Sequence, residues 1–191
     1  SLSGGGAQVQ PDLVEKIGAN GRVPGTGYGL TETHGIVTAV SADFFEAKPE
    51  SCGPIVPTLD AKLVDADGHD IAPGPEAVGE LCVRCTVVIK GYLNKPEATA
   101  DAIRDGWFHT GDIARIDDEG FVFIVDRAKD MVLRGGENVY CSEVESAIFE
   151  HPAVIENVVF GVPDDRLGEI VGACVVVGPD TTIDAEQLRA F

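Results

Sequence analysis

The sequence predicts a mixed α+β chain in three parts: the end of a β/α layer over residues 1–50, a small β-barrel-like subdomain over 51–128, and part of a small α+β domain over 129–191. Three observations predict it. The opening passes from an apolar stretch through glycines into a helical pattern. From about residue 52 to 125 the chain breaks into short pieces rich in Val, Ile and Phe, separated by turn signals. Beyond a polar, glycine-bearing crossing, the apolar pattern reads helix, strand, strand, helix. With 44% hydrophobic residues, a chain of 191 is long enough to bury a core.

Taken in order, SLSGGGAQV resembles a strand running out into a loop, and PDLVEKIGANGR predicts a short helix over about 11–18, with Leu13, Val14 and Ile17 at helical spacing. TLDAKLVDADG, VGELCVRCTVVIKGYL and FVFIVDR supply strands, broken by DADGHD, PGPEAVG and DDEG. NKPEATADAIRDG interrupts them with a helix that has Pro96 near its first turn and Gly106 near its end. RAKDMVLRGGENVY is the polar crossing, and the boundary between the two larger parts is expected near 126–130. SEVESAIFEH then predicts a helix capped by Ser142 with Glu145 three residues on. AVIENVVFGVPD and EIVGACVVVG predict two strands, and TIDAEQLRAF the start of a helix.

Fourteen Lys and Arg against 32 Asp and Glu give a formal charge of −18, which argues against broad adhesion to nucleic acid or an anionic membrane face. Any phosphate must be gripped locally, by backbone N–H groups, hydroxyls, a metal ion and a few placed cations. No apolar run reaches the 18 or so residues of a membrane span, and SLSGGGAQVQPD lacks the pattern of a signal peptide, so a cytoplasmic location is expected. Five scattered cysteines fit reduced thiols. Cys82 and Cys85 spell C-x-x-C, but inside a strand positions three apart face opposite ways. With no second pair and no nearby His ligand, neither zinc nor redox chemistry is expected there.

Three islands concentrate polar residues and glycine: GGGAQ, TGYGLTETHG, and WFHTGD with DRAKDMVLRGGEN. Together they describe a nucleotide pocket. Tyr28 offers a flat ring for one face of a purine, and Gly27 and Gly29 permit close backbone approach or positive φ. Thr31 can donate to a phosphate oxygen, while Glu32 is a hard carboxylate suited to Mg²⁺. Asp112 can accept from both hydroxyls of a ribose, and Arg127 can add a donor to sugar or phosphate. Each also has an ordinary reading: turn chemistry for Tyr28 to Thr31, a surface or packed histidine for His34, a turn cap for Asp112, and an ion pair with Asp126 or Asp130 for Arg127.

YGLTE, GELCVRCTVVIKGYLNKPEAT, WFHTGD and DRAKDMVLRGGENVYCSEVE occur in one order, and the combination resembles the adenylate-forming superfamily, within it the acyl-CoA synthetases, including fatty-acid and 4-coumarate CoA ligases. The resemblance runs from about residue 3 to the end. It implies a reaction in which a carboxylic acid attacks the α-phosphate of ATP to give acyl-AMP and pyrophosphate, after which the thiol of CoA displaces AMP. It implies that Gly5, Gly6 and Ala7 form the backbone wall beside adenine and that Tyr28 stacks on it. Thr31 would bind phosphate, Glu32 would hold Mg²⁺, and Asp112 would bind ribose with Arg127 as its neighbour. Lys129 matches the hinge about which the C-terminal domain swings. Arg134, Gly135, Gly136, Glu137 and Asn138 resemble the loop that enters the active site beside the pantetheine tunnel.

Two family features are missing from the 191 residues: the Ser/Thr/Gly-rich phosphate loop with its lysine, which would read like STSGTTGKPKG, and the catalytic lysine near the C-terminus. The expectation is therefore the end of a large N-terminal domain, its β-barrel subdomain and part of the C-terminal domain, inactive in adenylation as an isolated piece. A peptide-synthetase-type adenylation domain and a degenerate nucleotide-binding module are the alternatives. GGENVYCSEVE leans towards the CoA ligases. Val37 and its neighbours are expected near the acyl pocket, most of which lies upstream of residue 1 in relatives. The acyl group and the oligomeric state are not specified.

Overall fold

Alternation of apolar and polar side chains gives the strands of this chain one buried and one open face. The computed structural model describes residues 2–4, 19, 24–40, 47, 48, 50–179 and 181–191. The helix expected over 11–18 lies outside them, as does the GGGAQ island beyond Gly4, and with it Gly5, Gly6 and Ala7. The chain divides into two compact units, Ser1–Ile124 and Val125–Phe191.

The first unit opens with a parallel pair, β1 (Leu2–Gly4) and β2 (Pro24–Thr26). The main sheet comes next, from β3 (Gly53–Pro54), β4 (Asp60–Val64), β5 (Asp70–Ile71), β6 (Val78–Arg84), β7 (Ile103–Arg104), β8 (Trp107–Ile116) and β9 (Phe121–Arg127). Its order is β3-β9-β8-β6-β4-β5, with β7 hung on β8. The path has two ends among the described residues, so the expected barrel is an open, curled half-barrel. Leu63, Leu81, Val83, Phe108, Ala114, Ile116 and Val122 fill its buried face, and Val37 packs there too. Burying each large side chain of this kind contributes about 1.5–3 kcal/mol. The helix α1 (Pro96–Ala102) has Pro at its first turn, as the sequence predicts.

Two strands depart from expectation. The run VGELCVRCTVVIKGYL is strand only to Arg84, and residues 85–92 turn away to meet the YGLTETHG loop. WFHTGD, read as a polar island, lies within the ten-residue β8. Its Thr, Gly and Asp hide the period-2 pattern because the strand carries a bulge there. Glu80 pairs with Ile113 and Cys82 with His109, so three residues of β8 stand opposite Leu81 alone.

In the second unit, β10 (Val132–Arg134), β11 (Glu137–Val139), β12 (Val154–Asp164) and β13 (Gly168–Val177) form a sheet of order β11-β10-β13-β12. The polar crossing is thus a hairpin. Gly135 and Gly136 occupy its two-residue turn with φ of 63° and 92°, a turn that demands positive φ at both positions. The helix α2 (Cys141–Phe149) packs Cys141, Val144 and Ile148 on Val132, Val159 and Val171.

Ser142 does not cap α2. The cap position is Tyr140, two residues earlier, and Ser142 Oγ donates instead to Val125 O at 2.5 Å, while Glu145 Oε1 accepts from Val159 N at 2.8 Å. The S-x-x-E pattern here ties the helix to its neighbours. The last helix, α3 (Ala185–Ala190), does have a capping box, between Asp184 and Gln187. Among the described residues no helix is long and apolar enough to cross a membrane.

Candidate nucleotide site

The loop YGLTETHG is built around one buried hydroxyl. Residues Thr31–Thr33 make a single 3₁₀ turn, closed by His34 in the left-handed region with φ 54° and by Gly35 N donating to Leu30 O at 2.8 Å. Thr33 is fully buried; its Oγ1 accepts from Leu30 N and donates to Leu30 O, both at 3.0 Å. Thr31, two residues earlier, is exposed. The two threonines therefore differ in kind: one holds the loop, the other presents a hydroxyl.

Gly27 and Gly29 serve close approach and not positive φ. A Cβ on Gly27 would stand 2.8 Å from Thr38 O, and one on Gly29 would overlap the backbone of Gly35. The chain doubles back here, with Val37 N and Thr38 N both donating to Tyr28 O at 2.8 and 3.0 Å. This fixes the Tyr28 backbone beside the sheet, and its ring packs against the main core. Val37, buried in that core, is a packing residue of the same turn.

Asp112 reaches the same place from β8. Thr110 Oγ1 donates to Leu81 O at 2.7 Å and accepts from Asp112 N at 3.1 Å, while Gly111 takes φ 73°. Only 6% of Asp112 is exposed. The Tyr28 hydroxyl donates to Asp112 Oδ2 at 2.5 Å. Burial, then this bond to a carboxylate, pushes the phenol well above the usual tyrosine range, so it stays protonated as the donor.

Three partners of the loop, Val87, Ile89 and Tyr92, are not marked by any spacing in the sequence. Tyr92 donates its hydroxyl to Glu32 Oε1 at 2.9 Å, and Ile89 N donates to Glu32 O at 2.9 Å. His34 Nδ1 donates to Val87 O at 2.6 Å, which anchors the loop to the same segment. Burial and the Glu32 carboxylate raise the Tyr92 phenol. Tyr92 does sit in one of the family-like stretches, at KGYL, but no spacing rule links positions 32 and 92.

The expectation that no histidine lies near Cys82 is corrected. His109, its cross-strand partner, brings Nδ1 to 3.3 Å from Cys82 Sγ. A sheet joins residues far apart in sequence, and linear motif spacing does not see it. None of the five cysteines forms a disulfide.

The last three residues of β9 fall in the second unit; there Arg127 is exposed, its backbone N–H donating to Asp126 Oδ1 at 2.7 Å, and Lys129 is exposed in the next turn. Gly135 and Gly136 form the exposed turn of the β10–β11 hairpin, between Arg134 and Glu137, with Asn138 opposite Leu133.

Models of the AMP-binding enzyme and of the AMP-binding enzyme C-terminal domain match residues 1–93 and 143–191. The chain belongs to the adenylate-forming superfamily. Similar members include a feruloyl-CoA synthase of Amycolatopsis sp, 41% identical over 98% of this chain and 38% of that protein. A long-chain-fatty-acid–CoA ligase of Escherichia coli O157:H7 is 43% identical over 99% of this chain and 33% of its own length. Among solved structures, o-succinylbenzoate CoA synthetase of Bacillus subtilis in complex with the acyl-adenylate intermediate OSB-AMP superposes with a TM-score of 0.86 at 33% identity, covering 97% of this chain and 37% of that one. The same synthetase in complex with ATP and magnesium ion gives 0.86 at 32% identity over 98% and 38%. This member of the superfamily thus spans 33–38% of the length of those curated relatives.

Proposed function

We propose that the chain forms part of an ATP-dependent, AMP-forming acyl-CoA synthetase, and that the Tyr28–Asp112 side of the first unit is its nucleoside wall. The observation that carries this is the bond between those two side chains, which brings the predicted base-stacking ring and the predicted ribose acceptor to one place. Thr31 presents its hydroxyl from the same loop, and Glu32 has one oxygen held by Tyr92 and the other without a protein partner among the described residues.

That donor set fits Mg²⁺, a hard cation that takes carboxylate and phosphate oxygens. When bound, the ion supplies charge neutralisation at the phosphates. The chain's own residues bind and orient: Tyr28 covers the base, Asp112 accepts from the ribose, and Thr31 donates to phosphate. Holding the nucleotide so fixes the α-phosphate in line for attack by a carboxylate. Gly5, Gly6 and Ala7 as the adenine wall, Arg127 as a second donor, Lys129 as the hinge and Gly135 and Gly136 as contacts of the pantetheine arm of CoA complete the reading. These rest on the resemblance.

The reaction test uses the complete protein that carries this sequence. Addition of a fatty or aromatic carboxylic acid to enzyme, ATP and Mg²⁺ should release pyrophosphate, and CoA should then yield the acyl thioester. Absence of acid-dependent pyrophosphate across both acid classes would overturn the reading. The 191 residues alone, without a phosphate-loop lysine, should release none above a blank.

A further inference from the structure

On the face of the first sheet turned away from the core, Glu80, Cys82 and His109 converge. Glu80 and Cys82 are two apart on β6 and so share a face, and His109 stands opposite Cys82 on β8. Their potential ligand atoms lie within 4.8 Å of one another. The distances choose between a metal and a proton. Glu80 Oε2 is 2.7 Å from His109 Nδ1, a hydrogen-bond length. Two nitrogen or oxygen ligands of a tetrahedral zinc stand about 3.3 Å apart. Arg104 already approaches Glu80 Oε2 at 3.6 Å, and burial, then the Glu80 charge, pushes the Cys82 thiol up to about 12, far from a thiolate ligand.

Both oxygens of Glu80 are spent on β8. Oε2 accepts from His109 Nδ1, and Oε1 accepts from Gly111 N at 3.1 Å. Gly111 is the centre of the bulge, and a bulged residue loses its place in the ladder, so its N–H needs another acceptor. Glu80 supplies one from the face opposite Asp112. We infer that Glu80, with His109 as its second anchor, is a positioning residue: it clamps the bulge and thereby sets where the Asp112 carboxylate stands beside Tyr28. The geometry stands by itself; the consequence for AMP rests on the proposed nucleotide function.

The experiment uses the 191-residue chain, with amide hydrogen exchange followed by NMR and AMP as the probe ligand. Glu80→Ala should speed exchange at Gly111 by roughly tenfold or more, with β4 amides unchanged, and should weaken AMP binding. Glu80→Gln keeps an acceptor and should restore slow exchange at Gly111; Cys82→Ala should match the parent chain. If Glu80→Ala does not fold, Glu80→Asp, one methylene short of the amide, should show the same loss of Gly111 protection. Unchanged protection in the folded variant, Cys82→Ala behaving like Glu80→Ala, or added Zn²⁺ alone displacing the His109 Nδ1 proton would each overturn the clamp. A parent chain that ignores AMP counts against the nucleotide reading, while Gly111 exchange still decides the clamp.

Discussion

Tyr28 and Asp112, separated by 84 positions, share a hydrogen bond of 2.5 Å in which the phenol donates and the carboxylate accepts. The bond is partly buried, so neither group can exchange its partner for water without cost. It joins the YGLTETHG loop to the bulge of β8 and makes one surface of two sequence islands.

Tyr28→Phe should lower the unfolding free energy by about 1.5–3 kcal/mol, the usual range for a hydrogen bond to a charged group. The ring packing is kept, so the loss reports the hydroxyl. Urea unfolding of parent and variant checks it; a change within about 0.5 kcal/mol, as for an ordinary surface substitution, would contradict it.

Alkaline stability should carry a Cys82 component. The folded thiol holds its proton up to about 12, while an unfolded cysteine loses it near 9.0. Between those values the folded state binds more protons, so stability falls as pH rises, by up to about 1.4 kcal/mol per pH unit for this one group. Below 9.0 the contribution is constant. Urea midpoints across pH 9–11 should therefore slope less steeply in Cys82→Ala than in the parent chain.

The two threonines of the loop should separate under substitution. Thr33→Val strands Leu30 N and should cost about 1–3 kcal/mol. Thr31→Val should leave stability within about 0.5 kcal/mol yet reduce nucleotide binding. Thermal unfolding and AMP titration of both variants check this; a destabilising Thr31→Val would assign the hydroxyl to the fold.

Gly136→Ala, at φ 92°, should destabilise the second unit by about 1–2 kcal/mol. A Cβ there meets nothing within 4 Å, so the effect is conformational and not a clash. Gly136→Asn, better suited to positive φ, should cost less in the same denaturation experiment.

Much of the fold is legible in the sequence, and the reasons the rest is not are physical. The strands β4, β12 and β13 announce themselves by apolar runs between turn residues, and Pro96 marks the start of α1. β8 is hidden because its bulge needs Thr110, Gly111 and Asp112, which alone read as a turn. The RGGEN stretch reads as a polar crossing, whereas two adjacent glycines between Leu133 and Val139 encode a hairpin. In the site, Tyr28, Glu32 and Asp112 stand out by their chemistry. Tyr92 and Glu80 do not, since each acts on a residue some thirty to sixty positions away through sheet and loop pairing.

The most direct measurement is an AMP titration of the ¹⁵N-labelled chain. Affinity should be weak, with a dissociation constant on the order of 1 mM, since the proposed nucleoside wall is only one side of a pocket. Saturable shifts should nevertheless appear together at residues 28–32 and 110–113, and Asp112→Asn should abolish both sets. Saturation at only one of the two segments, or at neither, would contradict a shared nucleoside wall.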